Sequence, residues 1–126
     1  MLENDTDDHS LVKETLRDLE INARVKFFSS STDMFHFLEE GHLPILLLID
    51  YNSTPENGIS VLQKIKSDAR LNTLPVVILS ESTLPEYRDE AYRLGASSFI
   101  QKPDSLQGTR EKIDTFFRYW LTVAEV

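Results

Sequence analysis

The sequence has no cysteine, no long apolar run and fewer basic than acidic residues. The absence of cysteine excludes disulfide bonds and thiolate metal sites. No apolar stretch approaches the roughly 18 residues that a membrane-spanning helix needs. The acidic N-terminus does not resemble a signal peptide, so a cytoplasmic location is expected. The 13 basic and 21 acidic residues give a net charge of −8, which argues against binding to nucleic acid or a membrane surface, because their phosphates would be repelled.

Helical and extended patterns alternate along the chain. The 126 residues, 40% of them hydrophobic, suit a single domain over 1–126. The predicted strands are 24–29, 45–49, 76–79 and 97–101, and the predicted helices begin near 6, 31, 58, 85 and 105. This alternation indicates an α/β fold, a doubly wound, flavodoxin-like parallel sheet with helices on both faces.

Asp50 follows an unbroken apolar run, residues 45–49. Such a run suits a strand that is covered on both faces. In open α/β sheets ligands bind beyond the carboxyl ends of the strands, so a carboxylate placed there can act as a nucleophile or a metal ligand. A plain turn or helix-capping role is the alternative. Ser80 and Lys102 end two later strands, and the topology predicts that both lie at the same edge as Asp50.

The polar residues at the strand ends follow a definite order and spacing. Ser80 lies 30 residues after Asp50, and Lys102 lies 22 residues after Ser80. The wider set comprises Glu3-Asn4-Asp5, Asp50 with Asn52 and Gly58, Ser80, Gly95-Ala96 and Phe99-Ile100-Gln101-Lys102-Pro103. In this order the residues resemble the receiver domain of two-component response regulators. The stretch 119–121 is similar to that of stand-alone receivers.

The resemblance implies phosphotransfer chemistry. Asp50 would accept a phosphoryl group from a histidine kinase or phosphotransfer protein, and Lys102 and Ser80 would contact the phosphoryl oxygens. Because the carboxylate and the phosphoryl group are both negative, a divalent cation must offset their charge, and Mg²⁺ suits an oxygen-rich site. The implied metal ligands are Glu3, Asn4, Asp50 and the backbone carbonyl of Asn52.

The resemblance also implies a signalling output rather than the turnover of an external substrate. Phe99 would turn inward when Ser80 and its loop move, and this would change the affinity for a downstream protein partner. The chain would be a phosphoacceptor domain with slow autodephosphorylation, not a conventional enzyme. A homodimer through the last helix is an alternative that the periodicity leaves open.

The sequence departs from the family pattern at four points. Asn4 replaces a carboxylate, so Mg²⁺ should bind more weakly. Glu81 follows Ser80 where the family generally has a small residue, and it either crowds the phosphoryl entrance or points to solvent. Pro55 stands one place later than usual. Only Met1 and Leu2 precede the acidic pair, so the first strand is expected to be truncated, through a start site assigned too late or through a natural loss repaired by strand exchange.

Two other functions compete with a phosphorylated receiver. A pseudo-receiver would bind partners without productive phosphorylation, as Asn4, Glu81 and the short first strand would favour. A hydrolase with an aspartate nucleophile would need a second carboxylate two residues after Asp50. That position is Asn52, and no glycine-rich phosphate loop is present.

Overall fold

The structure is a computed structural model of the chain. It describes residues 1–2, 6–18, 25–53, 55–81, 84–101, 111–112, 114–116 and 118–119. The elements in chain order are α1 (Thr6–Asp18), α2 (Ser31–Glu39), β1 (Leu47–Asp50), α3 (Gly58–Ser67), β2 (Val76–Ser80), α4 (Pro85–Arg93) and β3 (Ser98–Gln101). Residues 111, 112, 114–116 and 118 are helical as well. Among all the residues that the structure describes, no helix is long and apolar enough to cross a membrane.

The sheet is parallel. β1 pairs with β2, and β2 pairs with β3. Leu2 extends the sheet on the other side of β1, because it forms parallel bridges with both Ile49 and Phe28. A line across the sheet therefore passes through Phe28, Leu2, Ile49, Ile78 and Phe99. The direction in which the chain winds reverses between Leu2 and Ile49, which is the switch point where such folds bind ligands.

The helices are distributed over both faces of the sheet. Because crossovers between parallel strands are almost always right-handed, α1, which leads from Leu2 to Phe28, is expected on one face, and α2, α3 and α4, which lead the opposite way, on the other. The packing agrees with this division. The larger core cluster contains buried residues of α2, α3 and α4. The smaller one joins Val12 and Leu16 of α1 to Phe116. The structure is therefore doubly wound, as the alternation of patterns predicted.

The start of the chain lies between two extended segments. The amide of Leu2 donates to the carbonyl of Leu48 at 2.8 Å, and the amide of Asp50 donates to the carbonyl of Leu2 at 3.0 Å. On the other side, the amide of Phe28 donates to the carbonyl of Met1 at 2.9 Å. Leu2 is fully buried. Within the described residues the first strand is thus represented by a single bridging residue, and 3–5 lie outside them.

Two predicted strands differ from the structure. The strand expected over 45–49 begins at Leu47 instead, where the Leu47 amide donates to the carbonyl of Pro75 at 2.9 Å. Ile45 precedes this first pairing and is 57% exposed, so an apolar run alone placed the strand two residues too early. Of the strand expected over 24–29, only Phe28 forms a bridge within the described residues.

Candidate functional site

Asp50 is the last residue of β1 and lies at the switch point of the sheet. The residue is only 6% exposed. A carboxylate so far withdrawn from water needs polar partners, because burying an unpaired charge is costly. The backbone amide of Asn52 supplies one of them, since it donates to Oδ1 of Asp50 at 3.0 Å. The sequence thus predicted correctly that this carboxylate stands where the strand leaves the core.

Backbone hydrogen bonds fix the segment that follows Asp50. The amide of Tyr51 donates to the carbonyl of Leu79 at 2.7 Å, so β1 remains tied to β2 one residue past its end. The amide of Ser53 donates to the carbonyl of Asp50 at 3.1 Å. The buried hydroxyl of Ser53 donates to the carbonyl of Glu56 at 2.8 Å. These contacts tie Tyr51 and Ser53 to the ends of the two strands and to the residues just before α3.

Gly58 brings the start of α3 against the end of β1. Its amide donates to the carbonyl of Tyr51 at 2.7 Å. A Cβ atom at this position would lie 2.8 Å from the carbonyl oxygen of Asp50 and 2.9 Å from the Cα of Tyr51. Only glycine permits so close an approach of two backbones. The side chain of Asn57 caps α3, because it accepts a hydrogen bond from the amide of Ser60 at 2.9 Å.

Ser80 ends the strand next to Asp50. Asp50 is paired with Leu79, so Ser80 lies one residue further along the neighbouring strand, and adjacent strands run about 5 Å apart. Ser80 is 2% exposed and is paired on its other side with Gln101. Lys102 follows Gln101 in the chain but lies outside the described residues. The structure therefore brings Asp50 and Ser80 together at one sheet edge, and the role of Lys102 stays a prediction.

Phe99 lies opposite Ile78 on β3. Its ring is half-buried and packs against the larger core cluster. Its amide donates to the hydroxyl of Tyr92 at 3.1 Å, which connects β3 to α4. A core role and a switching role are both compatible with this position, so the switching role also stays a prediction.

The structure describes only some of the predicted metal ligands. Asp50 and Asn52 are described, and Asn52 is exposed. Glu3 and Asn4 lie outside the described residues. Among the residues that the structure does describe, no cluster of three or more His, Asp or Glu side chains could hold a metal ion. The oxygen atoms of Asp50 and Asn52 alone are a partial donor set of the type that hard cations prefer.

Two tyrosines near Asp50 were not predicted as part of the site. The rings of Tyr51 and Tyr87 meet edge to face with their centroids 5.0 Å apart. Burial raises the pKa of Tyr51, and the nearby Tyr87 and Glu90 raise it further. The sequence signal for Tyr87 is only its helical spacing with Ala91 and Leu94, and the signal for Tyr51 is only its position directly after Asp50. Glu81 is exposed, which agrees with the solvent-facing alternative for that residue.

The chain is similar to known proteins in sequence and in fold. The family model of the response regulator receiver domain matches residues 2–114. The chemotaxis protein CheY of Pseudomonas aeruginosa is 28% identical over 107 residues, which is 85% of this chain and 85% of CheY. Response regulator Rre1 of Synechocystis sp. is 32% identical over 80 residues, 64% of this chain. The match covers 34% of the length of Rre1, and a match to FilR2 of Methanothrix harundinacea, named a probable methanogenesis regulatory protein, covers 51% of that protein.

Solved structures show the same fold. The phosphorylated cyanobacterial phytochrome response regulator RcpA superposes with a TM-score of 0.90 at 26% identity, covering 98% of this chain and 93% of RcpA. The Mn²⁺-bound form of response regulator Rcp1 has a TM-score of 0.89 at 24% identity, covering 99% of this chain and 94% of Rcp1. With the family model matching most of the sequence, the chain belongs to the response regulator receiver domain family of two-component signalling.

Proposed function

We propose that this receiver accepts a phosphoryl group on Asp50 and thereby changes its affinity for a protein partner. The observation that carries the proposal is the buried carboxylate of Asp50 at the switch point, with Ser80 on the adjacent strand end. Relatives of the same family include the chemotaxis protein CheY and a response regulator solved in its phosphorylated form. The donor is the phosphohistidine of a histidine kinase or phosphotransfer protein.

The transfer exchanges one bond to phosphorus for another. A carboxylate oxygen of Asp50 attacks the phosphorus, the P–N bond to the donor histidine breaks, and the histidine keeps the electron pair and takes up a proton. The product is an acyl phosphate. Lys102 offsets the charge on the phosphoryl oxygens, and the hydroxyl of Ser80 donates to one of them. The backbone hydrogen bonds of Tyr51, Ser53 and Gly58 keep the attacking carboxylate in place, because they confine the backbone on which it stands.

A divalent cation fits the donor types at this edge. Asp50 offers a carboxylate and Asn52 a backbone carbonyl, and Glu3 and Asn4 would complete an all-oxygen set for Mg²⁺. When bound, the cation reduces the repulsion between the carboxylate and the incoming phosphoryl group. Rcp1, a protein of the same fold, was solved with Mn²⁺ bound. Asn4 supplies a neutral amide oxygen where a second carboxylate would bind more strongly, so we expect this cation to bind weakly.

The change in partner affinity starts in the residues that follow Ser80 and lead into α4. When the Ser80 hydroxyl donates to the phosphoryl group, the chain that leads into α4 is drawn toward Asp50. Phe99, whose backbone amide donates a hydrogen bond to the hydroxyl of Tyr92 in α4, then changes its packing on β3. A partner that binds this side of the domain would distinguish the two arrangements.

Phosphorylation of the purified chain tests the proposal. The chain is incubated with Mg²⁺ and acetyl phosphate, and its intact mass is measured with and without hydroxylamine, which cleaves acyl phosphates. We expect one added phosphoryl group that hydroxylamine removes and that Asp50→Asn lacks. Asp33→Asn, a change at an exposed acid in the first turn of α2, is the matched control and should be labelled normally.

Two results would contradict the proposal. Labelling that persists in Asp50→Asn would place the phosphoryl group on another residue. A wild-type chain that stays unlabelled, and that also fails to accept phosphate from a phosphorylated histidine phosphotransfer protein, would instead identify a pseudo-receiver.

A further inference from the structure

Tyr51 and Tyr87 connect two parts of the domain that differ in how firmly they are held. Tyr51 directly follows Asp50, and Tyr87 lies in the first turn of α4. Their rings meet at an interplanar angle of 76° with centroids 5.0 Å apart, an arrangement that aromatic pairs favour. The Tyr51 ring therefore contacts the first turn of α4.

The Tyr51 side of the contact is rigid. Its amide donates to Leu79 and its carbonyl accepts from Gly58, both at 2.7 Å. The backbone is further confined by Gly58, whose missing Cβ would lie 2.9 Å from the Cα of Tyr51. With both backbone groups bonded and no space beside them, Tyr51 cannot shift without moving Asp50 as well.

The Tyr87 side of the contact is less firmly held. α4 buries only Ala91, whereas α3, a helix of similar length, buries Gly58, Ile59, Val61, Leu62 and Ile65. Buried apolar contacts set the free energy needed to displace an element, so α4 is the element that gives way more easily. α4 is also joined to Ser80 through the short segment 81–84. A change at the end of β1 therefore reaches the first turn of α4 through the ring contact, and a change at the end of β2 reaches it through this segment.

We propose that the contact between Tyr51 and Tyr87 couples the occupancy of Asp50 to the position of α4, with Tyr87 acting as a positioning residue. This inference rests on the proposed phosphorylation of Asp50. A bound phosphoryl group that displaces α4 must break or remake the ring contact, because Tyr51 stays with the acceptor. The strength of the contact then enters the free energy of phosphoryl-group binding.

Binding of beryllofluoride, an analogue of the phosphoryl group, tests the coupling. The half-saturating concentration in the presence of Mg²⁺ is measured by calorimetry for wild type, Tyr51→Leu, Tyr87→Leu and the double variant. We expect each single change to shift it in the same direction by about 2- to 10-fold, the range that the strength of aromatic pairs allows. The double variant should shift no further, because the same contact is lost once.

Matched variants separate coupling from a general loss of stability. Tyr87→Phe keeps the ring contact and should bind beryllofluoride like wild type, and so should Tyr119→Leu, which removes an exposed tyrosine ring on another segment. Urea unfolding confirms that each variant folds, and Tyr87→Met replaces Tyr87→Leu if the latter does not. Leucine variants that lose stability but bind with an unchanged half-saturating concentration would overturn the inference. It would also be overturned if the shifts of the two single leucine variants added together in the double variant.

The two proposals fail in different ways. If wild type binds no beryllofluoride and cannot be distinguished from Asp50→Asn, the proposed function is overturned and this inference with it. Wild-type binding that requires Asp50, combined with unshifted tyrosine variants, would overturn the inference alone.

Discussion

Replacing Gly58 with alanine should strain the backbone that carries Asp50. The new Cβ would lie 2.8 Å from the carbonyl oxygen of Asp50, and ordinary contact begins near 3.4 Å, so two backbone segments must separate by about 0.6 Å. Both are tied by hydrogen bonds, and neither can turn away as a flexible side chain would. Overpacking of this kind costs about 1–3 kcal/mol.

Part of that cost is offset. Gly58 is not one of the glycines with a positive φ, so alanine can adopt its backbone conformation and gains up to about 1 kcal/mol from reduced freedom of the unfolded chain. We therefore expect Gly58→Ala to lower the free energy of unfolding by about 1–2 kcal/mol. It should also slow labelling of Asp50 by acetyl phosphate, because the carboxylate moves with its backbone.

Urea unfolding and the rate of labelling measure the two effects. Gly41→Ala is the control, because Gly41 has φ +93° and no atom within 4 Å of the added Cβ. That variant should lose about 1 kcal/mol through its left-handed conformation but label at the wild-type rate. A Gly58→Ala chain that is as stable as wild type and labels equally fast would refute the close-approach argument.

Three further changes test the packing away from the site. The fully buried hydroxyl of Thr15 has no hydrogen-bond partner within the described residues, so Thr15→Val should raise the free energy of unfolding by about 1 kcal/mol in urea. The ammonium group of Lys66 donates to the carbonyls of Asn72 and Leu74, each at 3.1 Å, so Lys66→Met should lower it by about 1 kcal/mol, and an unchanged urea midpoint would show that water replaces these bonds. The backbone amide of Arg70 donates to the carboxylate of Asp68 and lowers its pKa below the ordinary 3.8. The stabilisation that this hydrogen bond gives the folded chain is therefore present above pH 3.8 and is lost as the pH falls further. The difference in urea midpoint between wild type and Asp68→Asn should therefore shrink in acid, and a constant difference would exclude the carboxylate as its source.

The sequence carried most of the information on the strand ends. Apolar runs that stop at a polar residue predicted the positions of Asp50 and Ser80, because a buried strand must end where a charge or hydroxyl can leave the core. The same runs failed to locate the beginning of β1. Pairing starts where a neighbouring strand offers a partner, and Pro75, which provides it, lies far along the chain.

Contacts that depend on the crossover packing could not be predicted. Gly58 was recognised as a helix start, but its approach to Asp50 depends on how the loop folds back. The spacing of Tyr87, Ala91 and Leu94 at i, i+4 and i+7 predicts one helix face there, but Ala91 is the only one of the three that is buried. Periodicity shows which face of a helix is apolar, but not how closely that face packs against the sheet.

Unequal anchoring on the two sides of Asp50 suits a switch. On one side, the β1–α3 segment is closed by short backbone hydrogen bonds and by a glycine with no room to spare. On the other, Ser80 leads into a helix with a single buried residue. In the proposed phosphorylation, charge is added at Asp50 between these two sides, and the resulting displacement would fall on the side with the smaller free energy of opening. In the proposed transfer, the rigid side would keep the carboxylate of Asp50 aligned for attack in each round of phosphorylation. Stabilising α4 by filling its interface with the sheet should therefore weaken the response to beryllofluoride, whereas stabilising α3 by the same amount should leave it unchanged.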